Sequence, residues 1–127
     1  MTPAPAIKVG ANLAWVQTQL GGEVLEQDSS PLVSSTTVQI LANNPDRMGL
    51  VMMNLGTGDM FVSFNPNVST QLGIKLAANG GFISMKLRDD FTMITRAYYA
   101  ISPSVNGNIY IVEYILIVKT GPGLATA

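Results

Sequence analysis

From Thr36 onward the chain alternates short apolar runs with breaks rich in glycine, proline and asparagine, and the runs read as strands. "TTVQILA" (36–42) opens the series, and "NNPDR" (43–47) is a turn in which Pro45 fixes φ while Asn and Asp supply local hydrogen bonds. "MGLVMMN" (48–54) is apolar on both faces, with Met48, Leu50 and Met52 on one and Val51 and Met53 on the other. "LGTGD" (55–59) predicts a hairpin turn whose glycines can take φ > 0. "MFVSF" (60–64) sets Met60, Val62 and Phe64 against Phe61 and Ser63. After the loop "NPNVSTQ" (65–71), "GIKL" (73–76) is a short strand, and "FISMKL" (82–87) places Ile83, Met85 and Leu87 together. "FTMITRAYYAIS" (91–102) reads as one bent strand or two, and the Asn-Gly of "PSVNGN" (103–108) is a hairpin signal. "IYIVEYILIV" (109–118) closes the series. About eight strands at spacings of some 8–12 residues predict an all-β fold, an antiparallel β-sandwich of jelly-roll type.

The first 34 residues differ. "MTPAPA" cannot pair as a central strand. "ANLAWVQTQL" carries Leu13, Val16 and Leu20 at helix-like spacing beside Trp15, and "GGEVLEQDSSPLVSS" reads as linker. The expected organisation is an N-terminal arm over 1–34, a β-domain over 35–119 and a flexible tail over 120–127.

The last strand sharpens the picture. Ile109, Ile111, Ile115 and Ile117 occupy one face, and Tyr110, Val112, Tyr114, Leu116 and Val118 the other. A strand wetted on one side alternates apolar with polar. This one does not, so one face is expected to meet the core and the other the arm or a neighbouring subunit; the 48–54 strand makes the same demand. Candidate interface residues are therefore Leu13, Trp15 and Val16 in the arm, Met52 and Met53, and Tyr110, Tyr114 and Leu116. Glu113 is an acid inside a ten-residue apolar run, and a buried carboxylate is costly unless paired. Arg47 and Arg96 sit in or beside apolar strands and are its candidate partners, in an ion pair that fixes register or subunit geometry.

Composition supports assembly. Only 12% of residues are charged, against about 25% in ordinary soluble domains, while 47% are apolar. A lone domain of 127 residues hides only about two-thirds of its unfolded surface, and the excess apolar area points to an interface. The best apolar run is half the length of a membrane-spanning helix, and the start lacks the basic head and apolar stretch of a signal peptide. A net charge of −1 without a basic run leaves no footprint for nucleic acid. With no histidine and no cysteine, His- and Cys-based triads and metal sites are ruled out, and no cofactor, metal or catalytic residue is expected. Asp59, Glu113 and Asp89 or Asp90 would have to converge for carboxylate chemistry, and nothing in their spacing argues that they do. Tyr98, Tyr99, Tyr110 and Tyr114 would suit a sugar-stacking platform, though aromatics on strands more often pack in cores and interfaces.

"ILANNPDRMGLVMMNLGTGDMFVSFNPNVSTQLGIKLAANGGFISM" resembles a β-domain common among small virion proteins of tailed bacteriophages. The matching positions are Asn44, Pro45, Arg47, Asn54, Gly56, Phe61, Val62, Phe64, Gly73, Ile74, Leu76, Gly80 and Gly81, and "AYYAIS…NGNIYIVEY" continues the match to about residue 115. Asn65 departs from it, standing where the pattern usually has glycine. The resemblance implies a non-enzymatic virion structural protein, a capsid decoration or cement protein first, with a tail or fibre adaptor or a receptor- or glycan-binding module as the alternative. The implied partners are other virion proteins, the major capsid protein or tail proteins, and further copies of the chain, with a trimer as the expected closure. The implied location is the virion, assembled in the host cytoplasm.

Overall fold

The structure is a computed structural model that describes residues 22–118. Nine strands lie among these residues: β1 (Gly22–Ser29), β2 (Leu32–Val33), β3 (Val38–Leu41), β4 (Arg47–Asn54), β5 (Met60–Ser63), β6 (Ile74–Leu76), β7 (Phe82–Lys86), β8 (Tyr98–Ile101) and β9 (Gly107–Val118). One antiparallel sheet has the order β1-β9-β4-β7, with β2 also paired to β9; the other has the order β3-β8-β5-β6. This interleaving of early and late strands across two layers is the jelly roll expected from the strand spacing.

Between the sheets Leu50, Met52, Met85, Ile109 and Ile111 face Met60, Val62, Leu76, Tyr98 and Ala100, all buried. Strict inward alternation along β9 places Ile109, Ile111 and Ile115 in the core and turns Tyr110, Val112, Tyr114 and Leu116 outward.

The structure differs from the sequence-based expectation at several points. The stretch read as linker contains β1 and β2: β1 pairs with β9 along its whole length, from Gly22 opposite Val118 to Ser29 opposite Ile111. The demand comes from β9, whose twelve residues need a partner on each side; the charges of β1 suit an edge strand facing water. Residues 91–95 are a 3₁₀ turn rather than strand, following the short helix α1 (Leu87–Asp90). The Lys86 N–H donates to the Asp90 carboxylate at 2.8 Å, which ends β7 and folds the chain over the end of the sandwich, burying Ile94. Leu87 is thereby taken out of line with Ile83 and Met85 and is exposed.

The two turns read as hairpins are arches between the sheets. Residues 55–59 carry the chain from β4 to β5, and residues 102–106 from β8 to β9. Their glycines serve close packing, not positive φ. A Cβ on Gly107 would lie 2.8 Å from the Gly56 Cα, so two backbones meet where no side chain fits. Among the described residues, positive φ occurs only at Asn79 and Gly80.

Candidate functional site

A bulge decides what β4 presents. Arg47 pairs with Ile115 and Gly49 with Tyr114, so the register skips at Met48. Arg47 is thereby brought onto the inner side with Leu50 and Met52, and Met48 is turned out, against the expectation that it shares their face. The Arg47 side chain is 1% exposed. Its Nε donates to Glu113 Oε1 at 2.8 Å. One terminal nitrogen donates to the carbonyls of Ile94 (2.8 Å) and Arg96 (3.0 Å), and the other to that of Ala42 (2.7 Å). A single planar guanidinium thus ties β9, the turn after β3 and the segment leading into β8. Arg96 contributes only its carbonyl to this clasp: its guanidinium lies over the Phe64 ring, 4.9 Å from the centroid, and is not a partner of Glu113. Phe64 in turn meets the Tyr98 ring edge-on.

The opposite end of the sandwich is held by Asn54. Its side-chain nitrogen donates to the carbonyls of Gly58 and Leu76, and its side-chain oxygen accepts from the Gly56 N–H. Asp59 accepts from the Ala78 N–H at 3.0 Å and faces Lys75; the backbone hydrogen bond first, and then the Lys75 charge, lower its pKa. Of the carboxylates whose convergence would favour carbohydrate or hydrolytic chemistry, Glu113 and Asp59 are held apart: Glu113 is bound to Arg47 at the start of β4, and Asp59 lies beyond its end.

The outer face of the β1-β9-β4-β7 sheet carries exposed apolar side chains. Cross-strand register aligns Tyr114 with Glu26 and Gly49, Val112 with Asp28 and Val51, and Tyr110 with Met53, which in turn pairs with Phe82. Phe82 is 64% exposed and Tyr110 37%. Within this face a groove of about 590 Å³ is lined by Val24, Met48, Val51, Leu87 and Tyr114, with Gly49 as its floor. A Cβ on Gly49 would sit 3.3 Å from Tyr114 Cδ2, so the tyrosine ring lies close over bare backbone. At the strand ends the β1–β9 ribbon carries apolar residues on both sides: Val24 (38% exposed) on the outer side, Leu25 (50%) and Ile117 (47%) on the inner.

Set against the expected interface residues, Met53, Tyr110, Tyr114 and Leu116 lie on this outer face. Met52 does not: its side chain points inward and is fully buried. Leu13, Trp15 and Val16 lie outside the described residues. Tyr98, considered for sugar stacking, is fully buried, its hydroxyl donating to the Met93 carbonyl at 2.7 Å, and burial pushes its phenol pKa up. A smaller polar cleft beside the groove is lined by Glu26, Asp28, Tyr110 and Tyr114. There the Tyr110 hydroxyl donates to Asp28 at 3.2 Å, a bond that raises the tyrosine pKa.

No family model matches the chain, and no curated protein matches it. Solved structures similar to it include a chain from Bacillus endospore appendages, a family of disulfide-linked pili, at 12% identity over 74% of this chain and 88% of that one, with a TM-score of 0.47. A protein from Neisseria meningitidis matches at 12% identity over 82% and 93%, with a TM-score of 0.42. A cupin superfamily protein from Desulfitobacterium hafniense matches at 11% identity over 75% and 78%, with a TM-score of 0.36.

Proposed function

We propose that this chain is a non-enzymatic structural protein of a bacteriophage virion, a capsid decoration or cement protein that binds and stabilises neighbouring subunits. The observation that carries the reading is the outer face of the β1-β9-β4-β7 sheet. It presents Val24, Phe82, Tyr110 and the apolar groove to water while the core beneath is already complete. Contiguous exposed apolar surface of this kind marks an interface. Fully covering one large apolar side chain contributes about 1.5–3 kcal/mol, so a handful of them suffices to drive association. The phage setting is supported by the resemblance over residues 38–115, within which Arg47 and Asn54 hold the two ends of the sandwich.

Light scattering on the full chain is expected to give a closed oligomer, a trimer by preference, since rotational symmetry closes identical interfaces. Antibody labelling of particles from a phage carrying the coding sequence is expected to decorate the head. A monomer, with no label on the particle, overturns the proposal.

The cleft of Tyr110, Tyr114, Glu26 and Asp28 favours a second reading, a receptor- or glycan-binding module of a tail or fibre, because it pairs aromatic faces with hydrogen-bonding acids. Sugar binding on a glycan array that is lost in Tyr110→Ala would select this reading, and label on the tail would select an adaptor.

A further inference from the structure

The outer groove has a shape, a composition and a position relative to the chain that together select an occupant. Its lining is mostly apolar, with Val24, Met48, Val51, Leu87 and the ring of Tyr114 around the bare backbone of Gly49, and with Ser84 and Lys86 of β7 at one side. It crosses β1, β9, β4 and β7, a span of about 14 Å at about 4.8 Å per strand. At one side it reaches Val24, two residues from Gly22, where β1 begins and where the 21 preceding residues join. Those residues contain one apolar stripe, Leu13, Val16 and Leu20, with Trp15 beside it. A helix over these residues, one of the two forms their spacing allows, would carry Leu13 to Leu20 across about 11 Å, short enough to lie within the groove. The link to β1 is Gly21-Gly22, which lets the chain leave the strand in any direction.

The ribbon tip decides between the chain's own arm and that of another copy. Val24 is exposed on the outer side of the ribbon, Leu25 and Ile117 on the inner. An arm folded back onto its own sheet shields the outer side and leaves the inner side wet. An arm passed to a second copy would set that copy beside the tip, where it can cover the inner side as well.

We propose that the groove receives residues 11–20 of a second copy of the chain, seating Leu13, Val16 and Leu20 against Val24, Val51, Leu87 and Tyr114. The inference rests on the assembly reading above and specifies its contact: a reciprocal exchange of arms, in which each copy both donates a stripe and offers a groove.

The absence of cysteine allows a clean test in the full chain. Leu13→Cys and Val51→Cys are made separately, mixed and oxidised, and also combined in one chain. The expected result is a disulfide-linked dimer in the mixture that neither single variant forms alone, and linkage between chains in the double variant. Linkage confined within single chains of the double variant assigns the groove to the chain's own arm and overturns the proposal. Absence of any linkage while light scattering still gives an oligomer overturns it too and leaves the assembly reading standing, whereas a monomer overturns both. Trp15, the only tryptophan, gives a second readout. In Val51→Glu, with the circular dichroism of the parent, its emission is expected to shift to the red as the arm is expelled; unchanged emission counts against the proposal.

Discussion

Arg47 reconciles an ionised group with a closed core. Its donors meet one carboxylate and three backbone carbonyls. Removing the side chain leaves Glu113, only 14% exposed, without its cation, and strands the carbonyls of Ala42 and Ile94. Breaking a buried pair from one side costs about 3–5 kcal/mol. Arg47→Ala is therefore expected to lower the unfolding free energy measured in urea by that amount, seen as a lower midpoint. Glu113→Gln keeps an oxygen to accept from Nε and every carbonyl contact of the guanidinium, so its loss is expected to be smaller, about 1–3 kcal/mol. Equal losses for the two variants would mean that leaving the buried guanidinium without its anion costs as much as losing its carbonyl contacts. The acid was conspicuous in the sequence, and its partner was narrowed there to two arginines. The fan of carbonyls was not legible, because backbone acceptors are the same at every residue and only the fold brings three of them to one point.

At the scale of elements, strand existence was legible and strand partnership was not. Alternation in β9 separated the buried isoleucines from the outward tyrosines correctly, because period two is a property of the strand itself. The bulge at Met48 broke the same rule in β4, and no residue type there announces a register skip. The arches at 55–59 and 102–106 look like hairpins in the sequence because a glycine, Gly56 and Gly58 in the first and Gly107 just after the second, signals conformational freedom or close contact without distinguishing them. The turn between β6 and β7 separates these two uses. A Cβ on Gly81 would fall 2.3 Å from the Ala77 nitrogen and 2.6 Å from its carbonyl oxygen, both backbone atoms that cannot step aside. Gly80 has open space around it but a φ of +113°. Gly81→Ala is expected to cost about 3 kcal/mol, by forcing the turn open and weakening the Asn54 N–H bond to the Gly81 carbonyl. Gly80→Ala is expected to cost about 1–2 kcal/mol, from backbone strain alone. Thermal unfolding of the two variants reads the order, and a Gly80 variant less stable than the Gly81 variant would refute the assignment.

For the whole molecule the decisive fact is that, of consecutive strands, only β5 and β6 pair within the described residues. Every other ladder joins segments far apart in the chain, and the first strand lies against the last. This places Gly22 beside Val118, so that residues 1–21 and 119–127 join the fold at one ribbon tip, where its apolar side chains are wet. The same wiring sets the folding rate. Loop-closure entropy must be lost before β1, β4 and β9 can reward one another, and a single local hairpin offers little to build on. Refolding from urea, followed by circular dichroism in the strand region, is expected on the millisecond-to-second scale usual for β-sandwiches. Secondary structure complete within microseconds would mean that local pairs form first, which this strand order does not supply. Once β1 has closed the β9 edge it is itself the edge of the sheet, and the charges along it, at Glu23, Glu26 and Asp28, make it a poor template for a stray strand. In the finished fold those charges lie along the edge strand, Glu26 and Asp28 at the border of the outer face, while the apolar side chains lie further in on that face and at the tip, so growth by edge-to-edge pairing is discouraged and association through the face is left open.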